Sequence, residues 1–275
     1  MAHDISDAYA RTLSLPNLAH LHALVALRSP LRRLRKLLQR LDAPKSSPAA
    51  ADVPPISAML EAAAAHYQEH GWAFVKDVFT DAFHTELVRQ FPERRYLDPP
   101  PSIYKAYDIG FKWQVGRKEP RITSRHAVYQ TLFSYLRSDE FTRRITAFTK
   151  AAHPISCRSF LVNKTYPGSL VIPHKDDPVP ANYLPYLNMV FFIDGTGGTD
   201  SGELILARDN EYKDIVFTPP TLRNACLIYD TEAPLYHGFK PVAWGKRRIA
   251  ATASFVCTDY VEEAPGTSRP ERPLV

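Results

Sequence analysis

Cysteine is scarce in this chain: Cys157, Cys226 and Cys257 are the only three in 275 residues, widely spaced and odd in number. Such a set excludes a disulfide framework and fits a reducing cytoplasm, each thiol reading as a small buried apolar group. Long apolar runs are missing as well. No stretch approaches the roughly 20 residues that a membrane-spanning helix needs. The N-terminus lacks the basic start, unbroken apolar stretch and small-residue cleavage site of a secretory leader, so secretion is not expected. Net charge is missing from most of the chain. Residues 1–50 carry eight Lys/Arg against three Asp/Glu, whereas the remainder carries 26 of each sign. A charge-neutral body with no readout motif argues against nucleic acid as a partner.

What is present is the composition of an ordinary folded protein, 45% hydrophobic and 23% charged. The basic excess belongs to an N-terminal appendage and linker, residues 1–54. Within it Leu31, Leu34, Leu37, Leu38 and Leu41 fall at three- and four-residue spacing, with Arg32, Arg33, Arg35, Lys36 and Arg40 on the other faces. A basic amphipathic helix at 31–41 docks on the protein's own domain or lies on an anionic membrane surface. Residues 43–55, rich in Pro, Ser and Ala, read as a linker. The main domain is expected over 55–260, followed by a Pro- and charge-rich tail, 261–275. It opens with a helix at 56–70, a strand from Trp72 to Phe79 and a helix at 80–91. The stretch 93–127 is aromatic and basic with few regular signals, and 126–151 is helical. From about residue 155 short strands alternate with turn residues. The candidates are 158–166, 171–176, 187–194, 202–207, 215–218, 225–229, 235–239 and 247–257. That pattern predicts an α+β chain with a mainly β core of jelly-roll type and N-terminal helices packed on it.

Three residues in this β region have metal-ligand chemistry. His174 and Asp176 are two apart, so on a strand both side chains point to one face. His237 must come from a different strand. Two imidazoles and one carboxylate form the facial set that holds non-haem Fe(II) and leaves open positions for substrates and O2. Arg247 lies ten residues after His237 and offers a permanent cation for an acidic co-substrate. Alone, His-x-Asp is a weak signal in a chain with ten histidines.

Its neighbours strengthen it. Tyr166-Pro167-Gly168 precedes Ile172-Pro173-His174-Lys175-Asp176. The apolar strand Leu187–Ile193, the turn Ser201-Gly202-Glu203-Leu204 and the strand Ala225–Tyr229 follow. The series ends at His237-Gly-Phe-Lys-Pro-Val-Ala-Trp-Gly-Lys-Arg247. In this order the motifs resemble the Fe(II)/2-oxoglutarate-dependent dioxygenases, specifically the prolyl-hydroxylase-like branch, over about residues 158–256. Glu203 stands where the branch has a second glycine. Phe191 and Phe192 stand where some relatives have a tyrosine that holds the co-substrate.

The resemblance implies a double-stranded β-helix (jelly-roll, cupin-like) and a set of roles. His174, Asp176 and His237 would bind Fe(2+). Arg247 would pair with the far carboxylate of 2-oxoglutarate, and Tyr166 would sit near that co-substrate. Only one of Arg247 and Arg248 can enter the barrel, because adjacent strand residues face opposite ways. The spacing from His237 and Gly245 favours Arg247. Asn163 and Asn188 are either barrel-lining or strand-edge residues. O2 would be the oxidant and ascorbate a supporting reductant. The implied reaction is hydroxylation of an unactivated C–H bond with release of succinate and CO2, since halogenating relatives lack the carboxylate that Asp176 provides. The basic stretch 93–127 is either a wall facing an anionic small-molecule substrate or a solvated basic loop. The helix at 31–41 adds a glycolipid at the inner membrane face, reached from the cytoplasm by peripheral contact. Two other classes stay open: a non-oxidative cupin-like metalloenzyme, and a binding protein with a degenerate site.

Overall fold

The computed structural model describes residues 56–91, 105–106, 108–114, 127–165, 167–176, 184–231, 233 and 235–257. The basic helix expected at 31–41, Tyr166, most of the basic stretch before residue 127 and the tail lie outside the described residues. The expected boundaries at 54 and 260 fall there too. Among the described residues no helix is long and apolar enough to cross a membrane.

Among the described residues the elements follow in the order α1 (Ile56–His70), β1 (Trp72–Lys76), α2 (Asp81–Arg89), β2 (Lys105–Ala106), β3 (Asp108–Gln114), α3 (Ala127–Leu136), α4 (Asp139–Thr149), β4 (Ile155–Thr165), β5 (Leu170–His174), β6 (Leu184–Gly195), β7 (Ile205–Ala207), β8 (Ile215–Phe217), β9 (Ala225–Asp230), β10 (Tyr236–Phe239) and β11 (Arg248–Cys257). The strands form two antiparallel sheets, a six-stranded one in the order β1-β9-β6-β11-β4-β3 and a five-stranded one in the order β2-β5-β10-β7-β8. From β4 to β7 and again from β8 to β11 successive strands alternate between the two sheets, which is the jelly-roll pattern expected from the sequence.

The helices take their places from local signals. In α1 the buried residues Ile56, Met59, Leu60, Ala63 and Tyr67 recur at helical spacing and form one stripe. The helix stops at Gly71, which adopts φ +73° and donates its N–H to the Tyr67 carbonyl at 2.8 Å. Thr80 caps α2 and Ser138 caps α4, each hydroxyl accepting from the amide three residues on. The Ser138 cap explains why the helical stretch expected over 126–151 divides in two. A second difference is β2 and β3, which occupy a stretch without strand signals in the sequence. Their order comes from partners far along the chain: β2 pairs with β5 and β3 with β4.

Two cores result. One lies between the helices and the outer face of the larger sheet, where Met189, Phe191, Ile193, Ile228, Ala251 and Phe255 pack beneath Phe83, Leu132 and Phe141. The other lies between the sheets and gathers Val190, Phe192, Leu206, Leu227, Phe239 and Ala250. β6 is apolar on both faces because both are covered. Asn224 ties the entry to α2 against this sheet. It takes up φ +47°, and its side chain accepts from the Phe79 amide and donates to the Phe79 carbonyl, both at 2.9 Å. That pair imitates one rung of a ladder.

Candidate metal centre

β5 and β10 are antiparallel neighbours with His174 directly opposite His237. The two rings lie 4.3 Å apart between centroids. The close approach of the strands depends on Gly238. A Cβ there would meet the Val171 carbonyl oxygen and the Tyr212 hydroxyl, each at 2.5 Å. A backbone oxygen cannot swing aside, so only glycine fits beside this ligand.

His174 Nδ1 lies 2.8 Å from the Ile172 carbonyl. A carbonyl only accepts, so Nδ1 carries the proton and a neutral ring presents a lone pair at Nε2. That nitrogen lies 4.0 Å from Asp176 Oδ1, and His237 Nε2 lies 3.5 Å from the same oxygen. One ligating atom from each of the three residues falls within 4.8 Å of the others. Cis ligands at about 2.1 Å from one octahedral ion are roughly 3 Å apart, so small side-chain rotations close the set. Among the described residues this is the one group of three metal-ligating side chains brought together. The donor set, two imidazole nitrogens and one carboxylate oxygen, fits Fe(II) with a face left open.

Strand alternation places only part of it. β5 ends at His174, so Asp176 stands two residues beyond the strand. Its position comes instead from β6. Asn188 Nδ2 donates to Asp176 Oδ2 at 2.6 Å and to the Tyr229 hydroxyl at 3.1 Å. The Tyr229 ring in turn packs against His237 at 4.8 Å. Asn188 is therefore barrel-lining. The role of Tyr229 was not foreseen, and its signal is an inward polar aromatic at the end of an apolar strand.

The arginine expected in the barrel is the wrong one of the pair. Arg247 precedes β11 and points outward: its side chain is 48% exposed and its Nη2 donates to Asp194 Oδ2 at 2.9 Å. Arg248 turns inward and is 3% exposed. Its Nη1 donates to the Gly202 carbonyl at 2.6 Å and its Nη2 to Asn163 Oδ1 at 3.2 Å. The guanidinium carbon sits 4.5 Å from the centre of the Phe239 ring. Counting from His237 crosses the turn before β11, and one residue in a turn changes which face each later residue takes. Ile249, Ala251 and Ala253 belong to the helix-side core, so Arg248 and Ala250 must face the barrel. Asn163 is thereby also barrel-lining.

The turn that presents the Gly202 carbonyl carries Glu203, where the resembled motif has a second glycine. That side chain is buried, and its carboxylate accepts from the Ser201 amide at 2.8 Å. A side chain thus closes the turn. Gly202 itself adopts φ +92°, which suits glycine.

Cross-strand register grades the inward face of the larger sheet. Tyr229, Asn188, Ser254 and Ser159 lie side by side across β9, β6, β11 and β4, and Asn188 and Tyr229 touch Asp176 and His237. The next inward row is Leu227, Val190, Thr252 and Leu161, then Ala225, Phe192, Ala250 and Asn163. Arg248, opposite Thr165, follows at the far end. A polar rim, an apolar middle and one buried cation result.

No family model matches this sequence, and no curated protein does. Structural likeness is clear. The chain is similar to a prolyl hydroxylase from Trichoplax adhaerens in complex with a peptide fragment of the hypoxia inducible factor oxygen degradation domain. That match has a TM-score of 0.51 and 13% identity over 73% of this chain and 90% of that one. HygX from Streptomyces hygroscopicus, solved with nickel and 2-oxoglutarate bound, matches at 0.51 and 9% identity over 72% and 87%. A Pseudomonas putida prolyl-4-hydroxylase matches at 0.50 and 15% over 72% and 98%. The shared fold is the double-stranded β-helix of these proteins.

Proposed function

We propose that this chain is an Fe(II)- and 2-oxoglutarate-dependent oxygenase that hydroxylates an unactivated C–H bond and releases succinate and CO2. The observation that carries the reading is the pairing of one inward arginine with one His-Asp-His set inside the same barrel. His174, Asp176 and His237 would hold the iron. Arg248 takes the co-substrate role expected of Arg247. Iron with 2-oxoglutarate and O2 supplies the oxidising power, and the protein supplies position and exclusion of water.

The chain's own residues support that division. β10 carries both the ligand His237 and, two residues on, the Phe239 ring that flanks Arg248. Two strand residues span about 7 Å, a reach suited to a short diacid whose 2-oxo acid end faces the metal ligands. The planar guanidinium matches a carboxylate in two-pronged fashion. Held by a carbonyl, an amide oxygen and an aromatic face, it needs no rearrangement to receive one. Leu227, Val190 and Phe192 keep water from the space between. A buried cation set for a small diacid has no use in a non-oxidative cupin or a plain binding module.

The substrate is proposed to be a small or lipid-linked anionic molecule, on the strength of Lys105, Lys112, Arg117, Lys118, Arg121 and Arg125 in the stretch before α3. The basic helix at 31–41 would hold the protein at the inner membrane face when the substrate is a glycolipid. Fe(II), 2-oxoglutarate and O2 given to the protein should yield succinate, and Asp176→Ala should abolish that yield. Succinate formation that persists in Asp176→Ala overturns the assignment.

A further inference from the structure

β6 reads Leu187-Asn-Met-Val-Phe-Phe-Ile193, with one polar residue in seven. An inward amide among apolar neighbours costs free energy unless its hydrogen bonds are made. Asn188 is 6% exposed, and both amide hydrogens are used, one on Asp176 Oδ2 and one on the Tyr229 hydroxyl. Which end of the amide faces Asp176 follows from chemistry: an ionised carboxylate only accepts, so the nitrogen must point at it.

The consequence concerns Asp176, which lies beyond the end of β5 with a side chain 30% exposed. The pairing of β5 ends before Asp176, so its carboxylate takes its direction from side-chain partners. Asn188 holds Oδ2, and Oδ1 is the oxygen that faces both histidine nitrogens. The Tyr229 ring, packed on His237, makes the same pair of residues a brace for a second ligand.

We infer that Asn188, backed by Tyr229, is a positioning residue that restricts Asp176 to single-oxygen ligation. The inference rests on the metal reading proposed above. With Oδ2 released, Asp176 can offer both oxygens to one ion. It would then take a position that the co-substrate needs. Hydrogen-bond partners of this kind set the orientation and basicity of a ligand, and their loss typically costs about 10- to 100-fold in metal affinity.

The test uses Co(II) as the probe, followed by its visible absorption in the full-length protein without oxygen turnover. Wild-type protein should bind one Co(II). Asn188→Leu, of similar volume but without a donor, should bind about 10- to 100-fold more weakly and show an altered cobalt spectrum. Asn188→Thr, which keeps a donor, should recover most of the affinity and stands in should the leucine variant fail to fold. Tyr229→Phe keeps the ring on His237 and the bond to Asp176, so its loss should be smaller than that of Asn188→Leu. Thermal unfolding of each metal-free variant separates general destabilisation from the ligand effect. Unchanged cobalt affinity and spectrum in folded Asn188→Leu, or cobalt binding by Asn188→Thr no better than by folded Asn188→Leu, overturns the inference. A wild-type protein that binds no Co(II) overturns the metal reading beneath it.

Discussion

The two faces of the six-stranded sheet use the same strands for opposite ends. On the helix side, β6 contributes Met189, Phe191 and Ile193, and β11 contributes Ile249, Ala251, Ala253 and Phe255, an unbroken apolar surface. On the barrel side the same strands contribute Asn188 and Arg248, spaced by Val190, Phe192 and Ala250. A period of two lets one strand hold the fold with its odd residues and line the candidate site with its even ones. The lesson is separability: a change on the outer face should cost stability, and a change on the inner face should cost binding.

The largest expected breach of that division is on the outer face. Phe191 is fully buried and stacks 5.6 Å from Phe79. Phe191→Ala should cost about 3–5 kcal/mol in denaturant unfolding. Cobalt affinity of the molecules that remain folded should stay at the wild-type value. A large loss of cobalt affinity under folding conditions would show that the faces are coupled.

The inner face is tested by the two adjacent arginines. Arg248→Gln removes a charge-assisted contact worth roughly 1.5–3 kcal/mol, so 2-oxoglutarate should bind about 10- to 150-fold more weakly by calorimetry on the Co(II)-loaded protein. Arg247→Gln breaks an exposed pair with Asp194, and exposed pairs are worth about 1 kcal/mol or less. Its co-substrate affinity should not change. Reversed results would restore the arginine that the spacing favours.

The smallest effect concerns the thiols. Burial pushes the Cys157 thiol up to about 12 and the Cys226 thiol well above its ordinary range. Cys257 is buried too. A thiolate is the reactive form, so native protein should react with no equivalents of a thiol reagent and unfolded protein with three. Rapid labelling of native Cys157 or Cys226 would mean that the helix-side seal opens.

What was legible in the sequence follows the same physics. That His174, Asp176 and His237 come together could be read because donor chemistry and serial order survive without any knowledge of register. Helix α1 could be read to the residue, since its apolar stripe and Gly71 are local signals. Arg248 could not, because its face depends on the length of a turn. β2 and β3 were missed because distant strands order them, not an alternation of their own. Asn188 was left between two readings, and only the position of Asp176 beyond the strand end decides it. Glu203 looked like a departure from a glycine pattern, and it closes the turn by its side chain instead.

The central claim is that one barrel holds both iron and 2-oxoglutarate, and anaerobic titration tests it most directly. Wild-type protein given Fe(II) and 2-oxoglutarate together should develop the weak visible charge-transfer band of the chelate, and neither alone should produce it. His237→Ala should not develop it. Absence of the band in the wild type, or its full persistence in His237→Ala, would contradict the account.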